Sequence, residues 1–286
     1  RIRNGEYNDA FSMLYTDISA AAERYIEALD EFSALYGDRD NIRIFSAPGR
    51  TEISGNHTDH NNGKVMAGAI NRDILAVVAK NDDGYIRFCS EGYSKDQISI
   101  ADVSDKDKFR KFTSRALVAG MANAFIKGGH AVGGYDAYSC TEVLKGSGLS
   151  SSAAFEVMIG NILNHIANDG RIDAPTLAKI AQYAENEYFG KPCGLMDQLA
   201  CAYGGVTAIE IVEDGFDNRC SLYLKVLEDL WTADPTLSEG VEFVGIDLTQ
   251  TSLSPAEQAA VCWIFAGRHG ADAVEGTVEE LVEQGW

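Results

Sequence analysis

Residues 145–154 read Lys-Gly-Ser-Gly-Leu-Ser-Ser-Ser-Ala-Ala, two glycines followed by three consecutive serines, ahead of an apolar segment that continues as a helix to about Ala167. This is the layout of a phosphate cradle. Gly146 and Gly148 let the backbone turn tightly and approach an anion, while unpaired N–H groups and the helix dipole supply partial positive charge. A serine in such a run can also ligate Mg²⁺. The same residues fit plain helix capping, because a serine accepts from the backbone of the first turn. The run alone is compatible with either use. It is not a Walker A loop, since no Gly-x-x-x-x-Gly-Lys-Ser/Thr occurs, and no Gly-x-Gly-x-x-Gly follows a strand near the N-terminus.

Two further clusters carry chemistry. Residues 46–62 hold Arg50, Glu52, Asn56, His57, Asp59, His60 and Asn61 among few apolar residues, and Glu185 precedes the run Gly-Lys-Pro-Cys-Gly-Leu-Met-Asp-Gln at 190–198. Arg50 suits bracing a transferring phosphoryl group, or pairing with an acidic surface. Asp197 stands near an expected helix start, where the dipole keeps it ionised as an acceptor or positioning group, or leaves it as a simple N-terminal charge. Glu185 falls late in its helix, where the dipole disfavours an acid, so either a cation partner or solvent must compensate. His57, Asp59 and His60 lack a further ligand at zinc spacing and read better as a reader of sugar hydroxyls than as a metal site. Lys145 and Lys191 either touch phosphates or are solvated.

These side chains need a sizeable scaffold, and 286 residues with 45% hydrophobic content provide one, divided into two domains or one domain with an extension. Forty-three acidic against 24 basic residues give a net charge of -19, which repels nucleic acid and anionic membranes. Cys89, Cys140, Cys193, Cys201, Cys220 and Cys262 include no Cys-x-x-Cys pair, so buried thiols in a reducing compartment are expected. The apolar runs are too short to span a bilayer and the first residues do not read as a signal peptide, which gives a cytoplasmic expectation. Arg1 in place of an initiator methionine gives the expectation of a trimmed or incompletely represented N-terminus.

Periodicity predicts a helix over residues 20–35 and a strand over 41–47 that stops at Pro48-Gly49. It predicts strands at 74–80 and 85–89 joined as a hairpin across Asn-Asp-Asp-Gly at 81–84. A helix at 113–127 and a strand at 135–143 lead into the glycine loop. Asp173 then caps a helix with Pro175 in its first turn, running to Gly190, and a further helix begins at Gly194 or Leu195. Strands and helices are mixed without regular βαβ alternation, an α+β pattern. Beyond about residue 209 the signals weaken to strand-like 222–226 and 241–246 and helix-like 255–265 and 274–284.

Residues 46–62, 146–154 and 185–198 together resemble, in order and spacing, three signatures of galactokinases in the GHMP small-molecule kinase superfamily. The resemblance spans roughly residues 40–210. It implies an N-terminal domain like the second domain of ribosomal protein S5, over residues 1–209, and a ferredoxin-like C-terminal α+β domain over 210–286, here divergent or truncated. It implies transfer of the γ-phosphoryl of MgATP to the C1 hydroxyl of galactose, with no nucleic-acid or membrane partner. By that likeness Asp197 is the base or positioner and Arg50 stabilises the transition state. Gly146, Ser147, Gly148, Leu149, Ser150, Ser151 and Ser152 wrap the phosphates, Ser90 contacts the nucleotide, and Ser152 with Glu185 holds Mg²⁺. Asn56, His57, Thr58 and Asp59 fall on the sugar-binding run. The family pattern usually has Glu at the position of Asn56 and Asn-Leu-Ile where Glu52-Ile53-Ser54 stand, and its C-terminal glycine-rich signature is not visible. Two alternatives therefore accompany the enzyme reading: a kinase for another galacto-configured sugar such as galacturonate or N-acetylgalactosamine, and a non-catalytic galactose and ATP sensor. The uninterrupted Ser-Ser-Ser-Ala-Ala at 150–154, with Arg50 and Asp197, favours the enzyme.

Overall fold

The computed structural model describes residues 1–55, 64–144, 146–212 and 215–217. The chain divides into two compact units, one of residues 1–51 and 69–205, the other of residues 52–68 and 206–286. Helices α1 (Asn8–Leu14) and α2 (Ile18–Tyr36) open the first unit and are followed by strands β1 (Arg43–Ser54), β2 (Lys64–Asn81), β3 (Tyr85–Ser90) and β4 (Asp96–Ser99). Then come α3 (Ser114–Lys127), β5 (Gly134–Thr141), α4 (Ser151–Ala167), α5 (Ala174–Tyr183) and α6 (Met196–Tyr203). Side chains cap three of these helices: Asp17 accepts from the Ala20 N–H, Thr113 from Ala116 and Asp173 from Thr176.

The first unit's strands lie in the order β4-β3-β5-β2, with β3 parallel to β5 and the other neighbours antiparallel. β2 shows why its sequence is a continuous apolar run. Ile74, Ala76 and Val78 enter one core with α3, α4 and α5, while Leu75, Val77 and Ala79 enter a second core with α1 and α2. A strand buried on both faces has no polar side to alternate with. Asp73, just ahead of this run, is buried and ties α2 to the sheet. It accepts from Arg24 Nη1, Tyr15 Oη and Ser46 Oγ, each at 2.5 Å.

The expected hairpin between β2 and β3 does not form. Gly84 makes the tight turn at φ 78°, but β5 lies between the two strands and pairs with both. Gly134 opens β5, and a Cβ there would collide with the Asn81 side chain and lie 2.9 Å from the Tyr85 carbonyl oxygen. The missing side chain lets β5 enter at the turn. Asn81 Nδ2 then donates to the Tyr85 carbonyl and to Asp136 Oδ1, replacing part of the direct strand pairing. The helix expected to run to Gly190 also changes character. After Tyr183 it continues as a wider π-helical stretch, Ala184–Phe189, and ends at Gly190 with φ 86°.

In the second unit, residues 64–68 of β2 pair antiparallel with β6 (Val206–Val212), which pairs with β7 (Gly215–Asp217). The strand-like and helix-like segments from 222 onward, and with them the ferredoxin-like expectation, lie outside the described residues. Among the described residues no helix is long and apolar enough to cross a membrane. The four described cysteines, Cys89, Cys140, Cys193 and Cys201, are free thiols.

Candidate active site

Three chain segments bring the chemistry together: the Pro48-Gly49-Arg50 part of β1, the glycine loop before α4, and the first turn of α6. Arg50 is 5% exposed, and its Nε donates to Asp197 Oδ1 at 2.7 Å while Nη1 donates to the Gly148 carbonyl at 2.8 Å. The Arg50 backbone N–H donates to the Leu149 carbonyl at 3.1 Å, so the loop is fixed to β1 through both main chain and side chain. Gly49 is required for this approach. A Cβ there would lie 2.8 Å from the Leu149 carbonyl oxygen. Ser150 adopts the left-handed conformation at φ 57° and makes no capping bond; its hydroxyl donates instead to Asp197 Oδ2 at 2.5 Å. The Ser150 hydroxyl is therefore not a helix cap. Ser150 serves Asp197, Ser147 Oγ donates to the Leu144 carbonyl, and Ser152 Oγ donates to Glu185 Oε1 at 2.9 Å. Among the described residues, adjoining ones aside, no atom lies within 4 Å of a Cβ built on Gly146 or Gly148.

Glu185 is buried at 1% exposure in the π-helical stretch. Its Oε1 accepts from Ser152 Oγ and, at 3.0 Å, from Lys191 Nζ; its Oε2 accepts from Gln198 Nε2 at 2.8 Å. The cation partner demanded by an acid late in a helix is therefore Lys191. Burial lowers the Lys191 pKa, but the hydrogen bond and charge of Glu185 outweigh it and the net shift is upward. The π-helical stretch is positioned by α3, whose Gly120 meets it so closely that a Cβ would lie 2.9 Å from Tyr188 and 3.0 Å from Ala184. Burial, then the charge of Glu185, pushes the neighbouring Cys193 thiol far above its ordinary value.

Residues 30–80 match the galactokinase galactose-binding signature and residues 116–205 match the GHMP kinases N terminal domain. Galactokinase of Clostridium tetani is 36% identical over 179 residues, covering 62% of this chain and 45% of the relative. That of Bacillus subtilis is 34% identical over 174 residues, covering 60% and 44%. The chain is similar to galactokinases. Among solved structures, Lactococcus lactis galactokinase complexed with galactose superposes with a TM-score of 0.60 at 27% identity, covering 65% of this chain and 49% of that one. Mevalonate kinase of Methanococcus jannaschii, at 14% identity and a TM-score of 0.52, shares the fold alone, the α+β GHMP kinase fold. The chain spans a little under half the length of the curated galactokinases it matches.

Of the site residues expected from sequence, Arg50, Gly148, Leu149, Ser150 and Asp197 form one bonded cluster, and Ser152 with Glu185 forms a second. Ser151 begins α4. Ser90 closes β3, where its hydroxyl pairs with that of Ser139 at 2.9 Å. None of the hydrogen bonds found among the described residues joins Ser90 to the Arg50 cluster. Asn56, His57, Thr58 and Asp59 lie outside the described residues. Sequence reasoning assigned no role to Gln198 or Glu156, both fully buried and joined by a 3.3 Å bond. Their signal was present: Glu156 is four residues after Ser152 on one face of a helix, and Gln198 follows Asp197.

Among the described residues no group of three or more His, Cys, Asp or Glu side chains could hold a metal ion by itself. Mg²⁺ asks for less, because it takes one or two protein oxygens and leaves its remaining positions to phosphate and water. The hard hydroxyl and carboxylate oxygens of Ser152 and Glu185, 2.9 Å apart beside the glycine loop, fit that requirement.

Proposed function

We propose that this chain acts as a galactokinase, transferring the γ-phosphoryl group of ATP to the C1 hydroxyl of D-galactose. The observation that carries the reading is the carboxylate of Asp197, gripped by the Arg50 guanidinium on one oxygen and the Ser150 hydroxyl on the other, beside the glycine loop. Phosphoryl transfer requires little covalent chemistry from a protein and much positioning and charge stabilisation. The hydroxyl oxygen attacks the γ-phosphorus in line, the bridging bond to ADP breaks, and the hydroxyl proton passes toward Asp197. Arg50, already fixed by Asp197 and Gly148, presents positive charge to the transferring oxygens. The backbone N–H groups of residues 146–152 receive the phosphates at the start of α4. Mg²⁺, held through Ser152 and Glu185, neutralises phosphate charge when bound.

Sugar recognition is assigned to Asn56, His57, Thr58 and Asp59. Its support is the match of residues 30–80 to the galactose-binding signature and the likeness to a galactokinase solved with galactose. We assign the sugar- and nucleotide-binding residues to a domain of residues 1–209, with Ser90 on the nucleotide.

The test is ADP release by the purified chain with MgATP, offered galactose, galacturonate and N-acetylgalactosamine separately. Turnover with galactose is expected. Turnover confined to another sugar, or binding of sugar and nucleotide without turnover, refutes the assignment.

A further inference from the structure

The interior behind Glu185 holds a group that the proposed chemistry does not use. Glu156 of α4 and Gln198 of α6 are each fully buried at 0% exposure. Gln198 Nε2 donates to Glu185 Oε2 at 2.8 Å and to Glu156 Oε2 at 3.3 Å, while Glu156 Oε1 and Gln198 Oε1 are both buried with no hydrogen-bond partner among the described residues. Both orphans are acceptors on residues already joined by a hydrogen bond, and each is costly to leave buried. Reversing the amide would turn its oxygen toward the Glu185 carboxylate, so Glu185 itself fixes which way Gln198 points.

We infer that Glu156 is held as a neutral carboxylic acid whose Oε1–H donates to Gln198 Oε1, closing a reciprocal acid and amide pair that aims Gln198 Nε2 at Glu185. One proton satisfies both orphan oxygens. A carboxylic acid and a primary amide each offer one donor and one acceptor in the same plane, so both hydrogen bonds form together. The charged and titratable groups around the pair agree with this assignment. Glu185 on the π-helical stretch and Asp197 on α6 oppose a negative charge at Glu156, while Lys191 and the Gln198 amide favour it; Cys193 and Cys201 are thiols held protonated by burial. Burial first, then Glu185, drives the Glu156 pKa well above its ordinary value. Glu156 is thus a positioning residue acting through Gln198 on Glu185. The catalytic consequence rests on the reading of Glu185 as the magnesium-holding carboxylate, whereas the protonated pair itself does not.

The sign of the pH effect follows. The folded chain keeps a proton that the unfolded chain releases above its ordinary carboxylate pKa. The contribution of Glu156 to stability is therefore greatest at or below that value and declines as pH rises toward the folded pKa. The first measurement is the infrared carbonyl band of a buried protonated carboxyl in the wild type and in Glu156→Gln, with unfolding followed between about pH 5 and 8. The wild type is expected to show a band that the variant lacks, and the variant to lose part of the decline in stability with pH. A wild type without the band, or with the same pH dependence as the variant, overturns the pair whether or not the chain is a kinase. The second measurement is the Mg²⁺ concentration for half-maximal turnover. Glu156→Ala should raise it roughly 10–100-fold, as loss of an outer-shell partner does. Glu156→Gln, which rebuilds the reciprocal pair as two amides, should restore it. Failure of the Gln variant to restore it would show that Glu156 acts through a negative charge and overturn the assignment. Should Glu156→Ala fail to fold, the infrared and pH measurements on the other two proteins decide.

Discussion

Replacing Asp197 with Asn is the sharpest perturbation of the proposed chemistry, because the structure indicates how little else it should disturb. The carboxylate accepts from Arg50 Nε through Oδ1 and from Ser150 Oγ through Oδ2. In Asp197→Asn the amide oxygen can continue to accept from Arg50, while the amide nitrogen donates to Ser150, whose hydroxyl rotates to accept. Both contacts survive without their charge assistance. A bond to a charged group contributes roughly 1.5–3 kcal/mol against about 0.5–1.5 for a neutral pair, so the fold should lose about 1–3 kcal/mol, well short of unfolding a stable domain. What disappears is the proton acceptor. General-base catalysis accounts for roughly 10²–10⁴ in rate, which is about 2.7–5.4 kcal/mol of barrier. The assay is ADP release at saturating galactose and MgATP, with nucleotide affinity measured separately by calorimetry. The expected result is a kcat lower by about 10²–10⁴ with nucleotide affinity within about threefold of wild type. A kcat within about tenfold of wild type, in a variant that is folded and binds ATP, would remove Asp197 from the proton transfer.

Glu185→Gln places an amide where Ser152, Lys191 and Gln198 all present donors, and is expected to raise the Mg²⁺ requirement at least about tenfold; an unchanged Mg²⁺ titration would deny Glu185 a metal role. Gly49→Ala drives a methyl to 2.8 Å from the Leu149 carbonyl oxygen and 3.0 Å from Val143, so a stability loss of about 1–3 kcal/mol should accompany a fall in kcat as Arg50 is displaced, and an unaltered denaturation midpoint would contradict the close approach. Asp73→Asn removes the nearer carboxylate of Arg24 and leaves it the Glu142 carboxylate at 3.7 Å, which should cost about 1–3 kcal/mol by urea unfolding; a loss below about 1 kcal/mol would show that the network is not what holds α2 in place.

The parts of this molecule that could be read from sequence are those set by a few neighbouring residues. The glycine loop, the position of Asp197 in the first turn of a helix and the Asp173 cap with Pro175 all follow from local backbone chemistry, and the structure places each where that chemistry requires. The unbroken apolar run at 74–79 marked a strand, but not which strands would flank it. Asn-Asp-Asp-Gly made a sound turn, yet whether that turn closes a hairpin depended on Gly134, some fifty residues later, admitting β5. The π-helical stretch is a second case: a wider helical turn has no composition of its own, and its placement follows the close approach of α3 at Gly120.

That long-range dependence bears on the site. Glu185 on a regular helix would be an exposed acid at the wrong end of a dipole. Carried instead on a π-helical stretch and enclosed by α4 and α6, it is buried against a serine, a lysine and a glutamine that sequence order keeps apart. Wider helical turns recur at functional sites because they displace one side chain from the register its neighbours impose. The resemblance of local motifs identified the carboxylate. Only the packing of α3, α4 and α6 around it explains how both oxygens of a buried acid in this position find donors, with Lys191 on one and Gln198 on the other.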